Sequence, residues 1–298
     1  MGNISAKASD CGFIPVNKAE DFTSFDAVAI VRRAVGIKRI GHTGTLDPIA
    51  TGVLPVLIGR ATLAADILPI TDKTYIAKLK FGTATDTGDR TGTVTETIDK
   101  KVSETAVKNY LEQFAAPKEI SQIPPMYSAV RVDGKRLYDI ARSGKTVERK
   151  PRTVTIFKAE LLDFNSENGT ATITVKCSSG TYIRTFIETL AIECDNLAHM
   201  TGLIRTEANG ININECTDIR EIKANPESTG KLILPIENLF LTLPEIILDD
   251  DFYKKYKNGM RFSSEKPDGR YRIKNDGIFI GIGNVTNHEL KAVKSFVI

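Results

Sequence analysis

The stretch GHTGTLDPIATG, residues 41–52, places a histidine, an aspartate locked before a proline, and several glycines within one turn-prone segment. Pro48 biases Asp47 towards extended backbone, which fixes where its carboxylate starts. The neighbouring glycines permit positive φ and let another backbone come close. An aspartate with an ordinary pKa of about 3.9 is ionised at neutral pH and acts as nucleophile or base without activation. Taken singly, each residue has an ordinary explanation: Gly41, Gly44 and Gly52 serve turns, Asp-Pro is a common turn pair, and His42 fits a surface or a core. Neither GxxxxGK[ST] nor GxGxxG occurs here, so neither phosphate-cradling fingerprint applies. Together the residues describe a rigid acid in a loop that admits a bulky substrate.

The chain around this loop has 298 residues, 41% hydrophobic and 26% charged, which suits one large and one small globular domain. No apolar run approaches the ~20 residues that span a bilayer, and the N-terminal residues lack the basic-then-apolar order of a secretory signal. Cys11, Cys177, Cys194 and Cys216 form no Cys-x-x-Cys pair, and only three histidines accompany them. The expectation is a reduced, cytoplasmic protein with no metal and no disulfide. Net charge is +3, yet residues 131–152 hold eight basic residues against three acids, which leaves the rest of the chain net negative. That run reads equally as a solvated helix and loop or as an arm that faces phosphates and gains affinity by counterion release.

The elements that must hold the loop follow from periodicity and caps. TSFDAVAIVRRAVG, 23–36, reads as a helix capped by Thr23 or Ser24 and ended by Gly36, with Ala27, Val28, Val31, Ala34 and Val35 on one face. VLPVLIG, 53–59, reads as a buried strand with a proline near its start, and RATLAADIL, 60–68, as a helix. KTYIAKLKFG, 73–82, alternates, with Tyr75, Ala77, Leu79 and Phe81 on one face and Lys78 and Lys80 on the other. A polar loop, the strand TVTETI, the helix SETAVKNYLEQF and a proline-marked extended segment lead into the basic run. TVTIFKAELLDF and GTATITVKC form a strand pair, YIRTFIETLAIEC a helix, and GLIRTEANGININEC a strand with a turn at Asn209-Gly210. A looser helical region runs to about Leu243, and short alternating strands fill the tail from Ile246. At that size a separate core is marginal, so the tail is expected to dock on the main body. The fold class is α+β, a mixed and largely antiparallel sheet flanked by helices.

GHTGTLDPIATGVLPVLIGRAT closely resembles the signature of the TruB-type tRNA pseudouridine synthases, which modify the T-loop uridine at tRNA position 55. DKTYIAKLKFGTATDTGD, QIPPMYSAVRVDGKRLYDIAR, CSSGTYIRT and the C-terminal NGM…DGIFIGIG follow in the order of that family, so the resemblance covers nearly the whole chain. It implies a catalytic domain of the pseudouridine synthase fold over 1–243, with an RNA-gripping insertion at about 122–152, and a small β-rich PUA-like domain over 246–298. One segment departs: the family's Lys-Pro-x-Gly-x-Thr-Ser is here Lys18-Ala19-Glu20-Asp21-Phe22-Thr23-Ser24, without the proline and the glycine.

The resemblance assigns Asp47 as nucleophile, Arg184 as its ion-pair partner and Tyr75 as the residue that stacks on the target base and accepts a proton. It places His42, Tyr182, Leu203 and Lys18 around the substrate, and Arg131, Lys135, Arg136, Arg142, Arg149, Lys150 and Arg152 on RNA, with Lys254, Lys255 and Lys257 as further phosphate contacts. The implied reaction breaks N1–C1′, turns the uracil and rejoins it through C5, with Asp47 attacking either C6 or C1′. It oxidises and transfers nothing, so no cofactor is expected. The implied partner is tRNA, bound by a monomer without guide RNA or protein partner. An aspartic protease is the rival suggested by Asp86-Thr87-Gly88, but such sites need two facing copies and this chain has one. A non-catalytic RNA-binding module is opposed by the retention of Asp47, Tyr75 and Arg184. The wording VLPVLIGRAT and the absence of lysine-rich tails separate the chain from guide-RNA-dependent relatives.

Overall fold

The computed structural model describes residues 11–128, 131–132, 134–137, 140 and 145–297. Arg142 lies outside the described residues, as do the side chains of Arg131, Lys135 and Arg136. In chain order the elements are β1 (Cys11–Lys18), α1 (Ser24–Val35), β2 (Ile40–His42), β3 (Ala50–Gly59), β4 (Lys73–Phe81), β5 (Thr83–Thr85), β6 (Val94–Thr97), α2 (Glu104–Glu112), β7 (Lys118–Gln122), β8 (Arg131–Val132), β9 (Lys135–Arg136), β10 (Arg152–Asn165) and β11 (Thr170–Cys177). They continue as α3 (Ile183–Glu193), β12 (Ala198–Ala208), β13 (Ile211–Asn212), β14 (Thr217–Asp218), α4 (Ile219–Ala224), β15 (Leu234–Pro235), β16 (Glu245–Leu248), α5 (Asp250–Lys257), β17 (Phe262–Ser263), β18 (Gly269–Asn275), β19 (Ile278–Thr286) and β20 (Glu289–Ser295).

Two compact units emerge, one of Met1–Gly44, Leu54–Ile70 and Asn209–Ile298, the other of Thr45–Val53 and Thr71–Ala208. The second unit is built on the strand order β3-β12-β4-β11-β10-β7. Antiparallel pairs dominate, and the β3–β12 pair is parallel, with Leu203, Ile204 and Arg205 beside Ala50, Thr51 and Gly52. The alternation of β4 sends Tyr75, Ala77, Leu79 and Phe81 into the core and leaves Lys78 and Lys80 in solvent. Opposite them, Ala171, Ile173, Val175 and Cys177 of β11 are buried. Phe186, Ile187, Leu190 and Ala191 give α3 its buried face, and Phe186 meets Tyr110 and Phe114 from the α2 region.

In the first unit, Thr23 caps α1 through a reciprocal bond with Asp26, and Gly36 closes the helix in the left-handed conformation. Ala27, Val28 and Val31 are buried, whereas Ala34 and Val35 are only half-buried. The turn after β12 is Asn209-Gly210 with both φ positive, at 56° and 78°, the pairing that a tight hairpin requires. The C-terminal strands form their own sheet, β16-β18-β19-β20-β17, around Leu248, Tyr256, Tyr271, Ile273, Ile280, Val285 and Leu290. This segment has a core and is also docked: Phe240 packs on Phe279 and Phe296, and Arg60 donates to the Ser295 carbonyl.

The structure corrects three local expectations. RATLAADIL holds only a 3-10 turn at Arg60–Ala64, because Pro69 biases Leu68 away from helical backbone. β3 starts at Ala50, so Pro55 sits in mid-strand. Its first residues leave the glycine-rich loop early because they pair with β12. The tail contains a helix, α5, capped by Asp249. Its tyrosines and lysines mask the apolar period, yet Tyr256 is buried and donates to the Ile282 and Lys294 carbonyls.

Gly52 ties the loop to the sheet. Its φ is +104°, and a Cβ there would lie 2.2 Å from the Arg205 carbonyl oxygen. Both backbones are committed to the parallel pairing, so neither can yield. Gly52→Ala is expected to cost about 3 kcal/mol in urea unfolding.

Candidate active site

Asp47 lies between β2 and β3, with its side chain 35% exposed. The Asp47 carbonyl accepts from the Ala50 N–H, which curls the chain straight into β3. The carboxylate faces Arg184 in the first turn of α3, with Nη2 3.1 Å from Oδ2. Arg184 is only 6% exposed at its side chain. Its Nη1 donates to the Thr87 carbonyl and its Nη2 to the Tyr127 carbonyl, both at 2.9 Å. A buried guanidinium is tolerable only when its donors are filled, and here carbonyls from two loops and the Asp47 carboxylate fill them.

A second acid, which the sequence reading missed, stands behind this pair. Asp89 is 5% exposed and 4.0 Å from Arg184 Nη1. Its carboxylate accepts from the Thr91 N–H and from the Thr87 and Thr91 hydroxyls. The loop that seemed to carry a protease tripeptide is thus a scaffold. Asp86 accepts from the Thr93 N–H, Asp89 organises the turn, and Thr87 presents a carbonyl to Arg184. The clustering of threonines around two acids in TATDTGDRTG was the available signal. One turn along α3 from Arg184, burial raises the Glu188 carboxyl pKa against the pull of Arg184 and Arg149.

Tyr75 on β4 is 6% exposed and lies directly opposite Arg205 on β12. Burial pushes its hydroxyl pKa up, Arg205 pulls it down, and the charge of Asp47 pushes it up further. Leu203, 8% exposed, stands two residues before Arg205, opposite Ala77 and beside Ala50. The period of two puts Leu203 and Arg205 on one face. Tyr182 caps α3 and is fixed by Gln122, which accepts from its N–H and donates to its carbonyl. Asp47, Arg184, Tyr75, Tyr182 and Leu203 all belong to the second unit.

His42 belongs to the first unit. Its Nδ1 accepts from the Gly44 N–H, and its ring meets exposed Phe25 edge-on, centroids 6.2 Å apart. Lys18 is fully buried and donates to the Ala19 and Phe22 carbonyls, so it organises its own loop. Asp21 takes φ +67° at the position where the family pattern has glycine, and aspartate is among the side chains that tolerate that conformation. In the basic run, Arg149 is half-buried and donates to the Pro124 carbonyl, whereas Lys150 and Arg152 are exposed. Lys254, Lys255 and Lys257 are exposed on α5. Among the described residues no group of three or more His, Cys, Asp and Glu could hold a metal ion. No helix among them is long and apolar enough to cross a membrane.

A half-open loop carboxylate braced by a buried guanidinium is equipment for chemistry on a substrate. Two solved structures share the fold. The structure described as a Cbf5-Nop10-Gar1 complex superposes with a TM-score of 0.72 at 20% identity, covering 97% of this chain and 86% of that one. An H/ACA RNP bound to a substrate RNA containing 2′-deoxyuridine gives 0.72 at 19% identity, over 99% and 87%. Those likenesses concern the fold. Residues 32–183 match the TruB family pseudouridylate synthase N-terminal domain, and the chain belongs to that family of RNA pseudouridine synthases. It is 40% identical to tRNA pseudouridine synthase B of Geobacillus thermodenitrificans over 256 residues, 83% of this chain and 84% of the relative. It is 37% identical to the enzyme of that name from Clostridium kluyveri over 293 residues, 96% and 99%.

Arg184→Lys is expected to lower pseudouridine formation at least about 100-fold, because one ammonium cannot hold two carbonyls and Asp47 in a planar fork. Single-turnover assays on RNA, with circular dichroism melts as a folding control, measure this.

Proposed function

We propose that the protein isomerises uridine to pseudouridine at position 55 in the T loop of tRNA, with Asp47 as nucleophile and without a cofactor. The observation that carries this reading is the 3.1 Å ion pair between Arg184 and a carboxylate that remains 35% exposed. The guanidinium keeps Asp47 ionised and aimed, and the exposure leaves it an approach for a ribonucleotide. Family membership and similarity to tRNA pseudouridine synthase B over nearly the full chain support the choice of tRNA.

The reaction separates N1 from C1′ and joins C5 to C1′. Asp47 opens it by attack at C6 or at C1′, and either route starts from the same ionised carboxylate. The C5 proton then leaves for an acceptor, the role of Tyr75, and N1 gains a proton. Tyr182 and Leu203 wall the pocket and keep the freed base. The target uridine must leave its stack at a cost of a few kcal/mol, and His42, presented with Phe25, fills the gap. Lys18 contributes to substrate binding from the loop before α1, which its ammonium also organises.

Lys150 and Arg152, with Arg131, Lys135, Arg136 and Arg142, grip RNA phosphates from the insertion at about 122–152. Arg149, which also donates to the Pro124 carbonyl, joins that RNA contact. A catalytic domain of 1–243 is followed by a PUA-like domain of 246–298, whose Lys254, Lys255 and Lys257 contact further phosphates. The protein acts as a cytoplasmic monomer without guide RNA.

Asp47→Ala is expected to abolish pseudouridine formation in a tRNA transcript while leaving tRNA affinity within about threefold of wild type. Residual turnover in a clean preparation would remove the nucleophile assignment. Replacing Lys150 and Arg152 with glutamine should weaken tRNA binding and reduce the slope of log affinity against log salt by about 1.5. An unchanged slope would make those residues ordinary surface charge.

A further inference from the structure

Among the described residues Arg205 is the largest fully buried side chain, at 1% exposure. No feature of the loop motif pointed to it. Its Nε donates to the Val53 carbonyl at 2.7 Å, and its Nη1 lies 3.4 Å from the Thr45 carbonyl. Those carbonyls stand on either side of Asp47 in sequence. On the β12 backbone, Arg205 faces Gly52 across one pairing and Tyr75 across the other. Its side chain also hydrogen-bonds the Tyr75 hydroxyl.

We infer that Arg205 is a positioning residue for the isomerisation: anchored on the two carbonyls of the Asp47 loop, it donates to the Tyr75 oxygen and prepares that oxygen to accept the C5 proton. The inference rests on the reading of Asp47 and Tyr75 given above and adds a residue and a reason to it.

Chemistry supplies the reason. A guanidinium only donates, so the Tyr75 oxygen must be the acceptor in this bond. When C5 loses its proton, the C–H electron pair restores the ring double bond and the proton passes to Tyr75. Tyr75 rests as a phenol, a poor acceptor; once its own proton has left for solvent, the phenolate takes the C5 proton and becomes phenol again. Burial opposes the phenolate, as does the charge of Asp47 on the loop before β3. Lys73, on the same strand as Tyr75, has a pKa lowered to about 8 by burial and by Arg205. Among the groups that act on Tyr75, Arg205 is the one that favours its ionised form. Placing that cation on the nucleophile's own loop fixes acid and acceptor relative to each other.

The test is single-turnover pseudouridine formation on a full-length tRNA transcript from about pH 6 to 9. The variants are Arg205→Gln and Arg205→Lys, each alone and combined with Tyr75→Phe. Arg205→Gln is expected to slow the step about 100-fold at neutral pH, with tRNA affinity within about threefold of wild type, and to move the rising limb of the rate to higher pH. Arg205→Lys, which keeps the charge, should recover about tenfold. In the Tyr75→Phe background, Arg205→Gln should add less than about threefold. An equal loss in both backgrounds would overturn the inference and leave Arg205 as a loop clamp alone. Should the glutamine variant fail to fold, Arg205→Lys against wild type in the two backgrounds reads the same coupling. Tyr75→Phe as fast as wild type would remove the Tyr75 assignment and this inference together, while Asp47 would stand on its own variant.

Discussion

The catalytic unit depends on satisfying one buried cation. Arg184 enters the interior at the start of α3, where an unfilled guanidinium would be strongly destabilising. Its donors are met by the Thr87 carbonyl, the Tyr127 carbonyl and the Asp47 carboxylate. Three segments far apart in sequence therefore have to arrive at one point. Asp89 lies 4.0 Å away and ties up the threonine loop that supplies the first carbonyl. The same contacts that satisfy the cation also orient the Asp47 carboxylate.

A second constraint works from the sheet. Parallel pairing of β3 with β12 draws Gly52 against the Arg205 backbone so closely that no side chain fits. Antiparallel pairing of β12 with β4 then sets Arg205 against Tyr75. The Asp47 loop is thus held by α3 through Arg184 and by β12 through Arg205. A loop with little apolar surface of its own gains definition from two charged residues placed on rigid elements.

Much of this was legible in the sequence. The alternation of β4, the capping of α1 and the Asn209-Gly210 turn follow from local rules, and each element lies where those rules put it. The motif around Asp47 and the GTYIRT segment identified the acid and its cationic partner. What escaped was non-local. Arg205 reads as an ordinary residue of an alternating strand, and only the register of β12 against β3 and β4 shows what it touches. Asp89 hid within a polar loop whose aspartates looked solvated. The burial of Lys18, with its ammonium on the Ala19 and Phe22 carbonyls, was likewise not visible in the sequence. The α5 helix was concealed by lysines and tyrosines with weak periodicity.

The central claim is that the carboxylate held by Arg184 performs a cofactor-free isomerisation of one uridine. Its most direct measurement is carbodiimide-blocked primer extension on an unmodified tRNA transcript, after incubation with wild type or with the isosteric Asp47→Asn variant. The account predicts a new stop at the T-loop uridine with wild type and none with the variant. A stop of equal strength with Asp47→Asn, or a wild-type stop confined to another uridine, would contradict it.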